Sequence, residues 1–279
     1  MAAGRLFVVA TPIGNLDDIT MRALNVLRQV DLIAAEDTRH SKRLLNHYEI
    51  TTQLTSYHEH NEASKTAQLL AVLQDGRDVA LITDAGTPGI SDPGYRVVRA
   101  AHEHGLDVVP VPGASAVMTA IAASGLPSDA FSFHGFFPRK KGAARAILEQ
   151  LAKNGGTHIF FESPNRLTAT LELFAEAAPS CEVCVARELT KVHEEIRREK
   201  PATLAQHYRQ DPPRGECVVL AYFTPSAAGA DLPDVARLRD LVDAAMQDEG
   251  LTRRDAVRSV AARLNVPRRL VYAAAQGDA

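Results

Sequence analysis

Acidic side chains set in glycine-rich loops are the part of this sequence with chemistry in it. The stretch from Leu81 to Gly94 carries Asp84 and Asp92 among Gly86, Gly89, Gly94, Pro88 and Pro93. Glycine lets a backbone approach a ligand closely or turn through φ > 0, and proline holds such a shape at low entropic cost. Val79–Ile82 ahead of it reads as a buried strand and Tyr95–His104 behind it as a helix, with Val97, Val98 and Ala101 on one side. A loop at the carboxyl end of a central strand is where open α/β sheets bind ligands. Ordinary strand-to-helix connections are short, about two to six residues, so the length favours a ligand site over a plain turn. A second acidic pair, Glu36-Asp37, ends another apolar run. It reads either as cleft chemistry or as charge that favours the helix behind it, whose expected N-cap is Thr38.

Glycine also marks Pro12-Ile-Gly14 after the first strand and Pro112-Gly-Ala-Ser115 after the fifth. No loop has the Gly-x-x-x-x-Gly-Lys-Ser/Thr pattern, and Gly-x-Gly-x-x-Gly does not follow the first strand, which argues against nucleoside triphosphates and dinucleotides. Short loops with exposed backbone and a carboxylate suit a smaller polar ligand carrying a ribose, an amine and a purine. S-adenosylmethionine is one such ligand. His58-Glu59-His60 lacks a third partner at a telling spacing, so no metal is expected. Cys181, Cys184 and Cys217 cannot form a disulfide framework and read as core. The net charge of −3 excludes a generic polyanion-binding coat. No run of about 18 apolar residues occurs, so no membrane span is expected, and without a signal-peptide layout the location reads as cytoplasmic.

The elements that must position these residues alternate. Strands are expected at Leu6–Ala10, Leu32–Ala35, Gln53–His58, Val79–Ile82 and Val108–Val111. The first helix should open at Asp17-Asp18 and bury Met21, Leu24, Leu27 and Val30, and a later one should span Ala67–Leu73. This order predicts a parallel sheet with right-handed crossovers. The segment Phe131–Pro138 breaks the rhythm, and a mixed sheet is expected beyond it. Its strands fall at 157–161, 182–186, 194–198 and 217–223, its helices near 142–153, 167–177 and 204–209. The predicted division is 1–129 and 130–223 as two α/β domains, 224–233 as a linker and 234–279 as a helical tail.

The motifs Val9–Leu24, Ala35–Leu44, Asp84–Gly94, Pro110–Ala116, Phe160–Leu167 and Ala186–Lys191 resemble the tetrapyrrole methylase superfamily, most closely its RNA branch. The resemblance implies two α/β domains of the tetrapyrrole methylase type with S-adenosylmethionine between them, and a homodimer. Carried over by position, the cofactor would meet Pro12, Gly14, Asp84, Gly86, Thr87, Ile90, Ser115 and Ala116, with Phe161 and Leu189 from the second domain. The reaction implied is methylation of a cytidine ribose 2′-oxygen in the decoding region of 16S rRNA, within the 30S subunit. A hydroxyl is a poor nucleophile, so a general base is expected, and Glu36 and Asp84 are its candidates. Asn15 and Thr87 stand where the tetrapyrrole branch usually has Asp, which weakens a corrin or porphyrin substrate.

Given that resemblance, two basic groups become candidates for RNA phosphate: Arg39, Lys42 and Arg43, and Arg139, Lys140 and Lys141. The alternative is a solvated helix face. In the tail, six arginines including Arg253 and Arg254 lie between Thr252 and Tyr272 against the single acid Asp255. The pattern reads helix, turn at Asn265-Val-Pro267, helix, and resembles a helix-turn-helix module suited to nucleic acid. A dimer-packing helical pair is the other reading. Two rival functions remain at this stage: a tetrapyrrole or diphthine-type methylase, and a metabolite-sensing nucleic-acid-binding regulator.

Overall fold

Apolar runs four residues long build the first sheet. Leu6–Val9 (β1), Leu32–Ala35 (β2), Val79–Ile82 (β4) and Val108–Val111 (β5), with the shorter Leu54–Ser56 (β3), pair in the order β3-β2-β4-β1-β5. Every pairing is parallel. Such a sheet must be covered on both faces. Met21–Gln29 (α1) and Thr38–His47 (α2) cover one face, burying Leu24, Leu27 and Leu45 on Phe7, Val9 and Ile33. Glu62–Gln74 (α3) and Tyr95–Glu103 (α4) cover the other, with Leu69, Leu73, Val97 and Ala101 on Leu6, Ala34 and Leu81. The helices after β1 and β4 therefore leave to opposite faces, and the carboxyl ends of these neighbours open a crevice. The computed structural model describes residues 3–224, 235–264, 266 and 268–276.

The second sheet contains Phe131–Phe136 (β6), Gly156–Glu162 (β7), Glu182–Arg187 (β8), Glu195–Glu199 (β9) and Cys217–Phe223 (β10), in the order β6-β7-β10-β8-β9. Only β6 and β7 are parallel; the other pairs are antiparallel, so the sheet is mixed. Lys141–Asn154 (α6), Pro164–Ala177 (α7) and Pro201–Gln210 (α8) belong to this half. Ala116–Ser124 (α5) follows the first sheet but packs on β8, β9 and β10 of the second. Val117, Ala120 and Ile121 share a core with Ile159, Cys184, Ala186 and Leu220. This makes both sheets parts of one compact unit.

The tail forms a second unit with its own core. In Val235–Asp248 (α9), Arg253–Arg263 (α10) and Arg268–Gln276 (α11), Leu238, Val242, Val257, Val260 and Val271 bury against one another. The expected linker falls largely on 225–234, and the expected turn on Asn265 and Pro267, all outside the described residues. No described helix is long and apolar enough to cross a membrane.

Several expectations need correction. The first helix opens at Met21, not Asp17, because the Thr20 side chain caps it by accepting the Ala23 N–H; Asp17 and Asp18 form a separate 3-10 turn capped by Asn15. Met21 is then 71% exposed and not on the apolar face. Asp37, not Thr38, caps α2, since its carboxylate accepts the Arg39 N–H at 2.8 Å. Helix α3 starts at Glu62, ahead of the expected Ala67. Phe131–Phe136 is a strand in spite of its mixed polarity, because it lies at the sheet edge and exposes alternate side chains.

Because Ile121 is 4% exposed and lies in the core that α5 makes with the second sheet, Ile121→Ala should destabilise the α/β unit by about 2–5 kcal/mol. Urea denaturation measures this; a loss below about 1 kcal/mol would mean that α5 repacks or is not a shared element of the core.

Candidate active site

Backbone hydrogen bonds join the loops at the strand ends. Thr11 and Gly86 exchange both, at 2.9 Å and 3.1 Å, and the Thr11 hydroxyl donates to the Thr83 carbonyl at 3.1 Å. Gly86 is at φ +81°, a conformation open to glycine at little cost, and a Cβ there would lie 3.4 Å from Ile13 Cγ2. Side chains complete the join. The Asp84 carboxylate accepts the Asp37 N–H at 3.1 Å, and the Glu36 carboxylate accepts the Asp84 N–H at 3.4 Å. The ends of β1, β2 and β4 are thereby held in one arrangement.

Beside them is a cavity of about 400 Å³, lined from both sheets. Its first-sheet side is formed by Ile13, Glu36, the run Asp84–Thr87, Ile90–Asp92 and Ser115–Val117. Phe136, Phe161–Pro164 and Gly215–Val218 close it from the second. The β6 strand has an irregularity between Phe133 and Phe136, with Gly135 at φ +69°, and Phe136 beyond it is 63% exposed at the cavity. Phe136 and Phe133 both meet Phe161 edge to face, with ring centres 5.6 Å and 4.8 Å away.

Five carboxylates line the cavity, Glu36, Asp84, Asp92, Glu162 and Glu216, and no Lys, Arg or His does. Burial pushes Glu36 above the usual carboxylate range, and the charge of Asp84 adds to this while its N–H partly offsets it. Burial, then the charge of Glu36, pushes Asp92 up to about 7. Cys217 also lines the cavity, but burial pushes its thiol to about 12, so it supplies no thiolate at neutral pH. Cys181 and Cys184 are buried and free as well.

Of the residues singled out from sequence, Glu36, Asp84, Gly86, Thr87, Ile90, Ser115, Ala116 and Phe161 all line this cavity. Pro12, Gly14 and Leu189 do not. Gly14 instead abuts the second half: a Cβ there would lie 2.6 Å from Lys191 Cγ and 3.0 Å from the Leu189 carbonyl oxygen. Next to it, the Asn15 N–H donates to Thr190 Oγ1 at 3.1 Å. Leu189 is buried in the core that α5 and Ile13 form with the second sheet. Asp92 was visible as a loop carboxylate but not as a partner of Glu36, since that contact spans more than fifty positions. Of the other lining residues, Glu162 lay in the Phe160–Leu167 motif without being singled out, and Phe136 and Glu216 lay in none of the motifs.

The basic residues lie elsewhere. Arg39 pairs with Asp37 at 3.2 Å, and Lys42 and Arg43 are exposed on α2. Arg139, Lys140 and Lys141 are exposed, and Arg139 and Lys141 border a separate hollow with Arg166, Glu172 and Glu176. In the tail unit, Arg254, Arg258, Arg268, Arg269 and Tyr272 line an open hollow of about 510 Å³; Arg253 is exposed outside it.

Comparison with known proteins follows the same lines. The family described as Tetrapyrrole (Corrin/Porphyrin) Methylases matches residues 5–205. A Synechocystis sp. protein named Ribosomal RNA small subunit methyltransferase I is 46% identical over 273 residues, 96% of this chain and 96% of its own. A Pseudomonas aeruginosa protein of the same name is 51% identical over 223 residues, 79% of each chain. Among solved structures, diphthine synthase aligns with a TM-score of 0.63 at 12% identity, covering 79% of this chain and 90% of its own. Cobalt precorrin-4 methyltransferase, of cobalamin biosynthesis, aligns with a TM-score of 0.59 at 21% identity, covering 78% and 94%. At these identities the structures speak for the fold alone, while the family match and the close relatives settle descent: the chain belongs to the tetrapyrrole methylase family.

Proposed function

We propose that this protein transfers the methyl group of S-adenosylmethionine to the 2′-oxygen of a cytidine ribose in small-subunit ribosomal RNA. The observation that carries the reading is the relative named Ribosomal RNA small subunit methyltransferase I, 46% identical across 96% of both chains. The cavity fits the cofactor. Its volume is within the range of about 300–1,000 Å³ typical of small-molecule sites. Gly86 leaves backbone room, Ile13, Val117, Phe161 and Val218 give apolar walls, and the carboxylates suit a ligand bearing a sulfonium and an ammonium.

S-adenosylmethionine, when bound, supplies an electrophilic methyl group. The chain's own tasks are to align the hydroxyl with that group, to exclude water and to accept a proton. Asp84, Gly86, Thr87, Ile90, Ser115, Ala116 and Phe161 line the cofactor's place in this reading, and the family resemblance adds Pro12, Gly14 and Leu189. Glu36 and Asp84 are carboxylates beside the reacting hydroxyl. The α/β domains 1–129 and 130–223 share the site, and the tail 234–279 holds RNA. Its four-arginine hollow with Tyr272 suits phosphate and a stacked base. The 30S subunit is the proposed form of the substrate, and the enzyme works as a homodimer in the cytoplasm. The test is incubation with methyl-labelled S-adenosylmethionine and 30S subunits, free 16S rRNA or uroporphyrinogen. Label should enter the 30S subunit, at a 2′-O-methylcytidine; label in the tetrapyrrole instead would refute the reading.

Gly86→Val would place a branched side chain against Ile13 at positive φ. Calorimetry should find cofactor affinity reduced at least about tenfold, a change of about 1.4 kcal/mol. Unaltered affinity would put the cofactor elsewhere.

Replacing Arg139, Lys140 and Lys141 together by alanine should weaken RNA binding and make its salt dependence shallower by about 0.7–0.9 per lost phosphate contact. Cofactor affinity should not change. An identical salt slope would mark these residues as a solvated face. The same titration with Arg254, Arg268 and Arg269 replaced by alanine tests the tail, and again a lower slope is expected.

A further inference from the structure

The turn between β8 and β9 is held against its own conformational preference. Glu188 is at φ +51° and Thr190 at φ +66°, left-handed conformations that a side chain disfavours. Such residues persist only where their surroundings fix them, and they gather at active sites and ligand clamps. The bonds that fix this turn run to the cavity. The Glu194 carboxylate accepts the Thr190 N–H at 2.6 Å, and the Thr190 hydroxyl accepts the Asn15 N–H at 3.1 Å from the loop after β1. The Glu188 N–H donates to the Glu216 carbonyl at 3.0 Å, while Glu188 Oε1 accepts the Glu216 N–H at 3.1 Å. Ile13 from the loop after β1 and Gly215–Glu216 before β10 all line the cavity.

Lys191 ties these contacts together. Its Nζ donates to Glu188 Oε1 at 2.8 Å and to Glu216 Oε2 at 3.0 Å. The Glu188 side chain is only 18% exposed, so its charge depends on a partner. Burial alone would raise its carboxyl, but Lys191 and the Glu216 N–H outweigh burial and hold it below the usual carboxylate range. The Glu216 carboxylate is 75% exposed, and its own pairing with Lys191 adds little. The stem of Lys191 lies against Gly14, where a Cβ would come within 2.6 Å of Lys191 Cγ. A Cβ on Gly215 would overlap the Glu188 carboxylate. Backbone is therefore pressed against Lys191 from the loop after β1 and against Glu188 from the segment before β10.

We propose that Lys191 is a positioning residue for the methyl-donor cavity. Paired with Glu188, it fixes the spacing between the loop after β1 and the segment 215–216, and so sets the cavity to the width of its ligand. The inference rests on the reading of this cavity as the S-adenosylmethionine site. Lys191 is not among the lining residues, so it acts through its neighbours. Without the ammonium, Glu188 is a largely buried charge with no cation. It then turns towards water and releases the Glu216 N–H, and the left-handed turn loses the contact that holds it.

The experiment is calorimetry of S-adenosylmethionine binding to wild type, Lys191→Met, Lys191→Arg, Glu188→Gln and the double variant Lys191→Met/Glu188→Gln, with urea denaturation of each. Lys191→Met keeps the stem on Gly14 and removes the charge. It should weaken cofactor binding by roughly 5–50-fold, the size of a coupling within one network. Lys191→Arg should restore most of the affinity. The double variant should bind better than Lys191→Met alone, because no unpaired charge remains and the glutamine still accepts the Glu216 N–H. In single-turnover methylation of 30S subunits, the defect of Lys191→Met should appear in the cofactor concentration needed for half-maximal rate, not in the rate at saturation. Wild-type affinity in Lys191→Met would overturn the inference. So would an affinity loss that arginine does not rescue and that follows the loss of urea stability across the set, since that pattern belongs to a merely structural residue. Gly86→Val in the same titrations separates the two readings. Weak binding by Gly86→Val beside normal binding by Lys191→Met would sink the role of Lys191 alone, and normal binding by both would sink the cofactor site as well.

Discussion

Everything in the site depends on the hydrogen bonds that tie together the carboxyl ends of three parallel strands. The loop after β4 has no secondary structure of its own, and each residue fixed in such a segment costs about 1–2 kcal/mol of conformational entropy. The paired bonds between Thr11 and Gly86 and the Asp84 carboxylate on the Asp37 N–H supply the constraint that holds it. The same bonds resolve an electrostatic conflict. Glu36, Asp84 and Asp92 repel one another in a partly buried place, and two of them are offset by backbone N–H donors. Burial, then the charge of Glu36, raises the proton affinity of Asp92.

The second sheet supplies what the first lacks. Three strand ends make a rim but not an enclosure, and the wall comes from Phe136, Phe161 and the segment 215–218. Helix α5 makes this possible by belonging to the first half in sequence and to the second in packing. A site made across two sheets can bring a ligand's charge against carboxylates on one side and its apolar parts against aromatic rings on the other. Enclosure also lowers the local dielectric, which strengthens both the attraction for a cation and the proton affinity of Glu36 and Asp92.

Much of this was legible in the chain. Four-residue apolar runs such as Val79–Ile82 give a buried parallel strand directly, and Cys217–Phe223 is a strand end to end as read. The glycine-bearing loops after β1, β4 and β5 each contribute to the cavity lining. What was hidden was set by long-range contact or by capping. Pro164 and Pro201 begin α7 and α8 ahead of their first apolar residues, as proline does at a first helical turn, so both helices start earlier than periodicity suggests. The edge strand β6 alternates in burial and had no continuous apolar run to reveal it. Gly14 and Leu189 were expected at the cofactor, but the structure sets them against each other where the two halves meet, a relation that spacing along the chain does not carry. The convergence of Asp92 with Glu36 was hidden for the same reason.

The central claim is that the cavity between the two sheets is the methyl-donor site. A crystal structure of the protein with S-adenosylhomocysteine and a short cytidine-containing RNA tests it most directly. The account predicts the cofactor sulfur within the lining of Asp84–Thr87 and Ser115–Ala116, with the ribose 2′-oxygen entering the same cavity. A cofactor bound outside this cavity would contradict it.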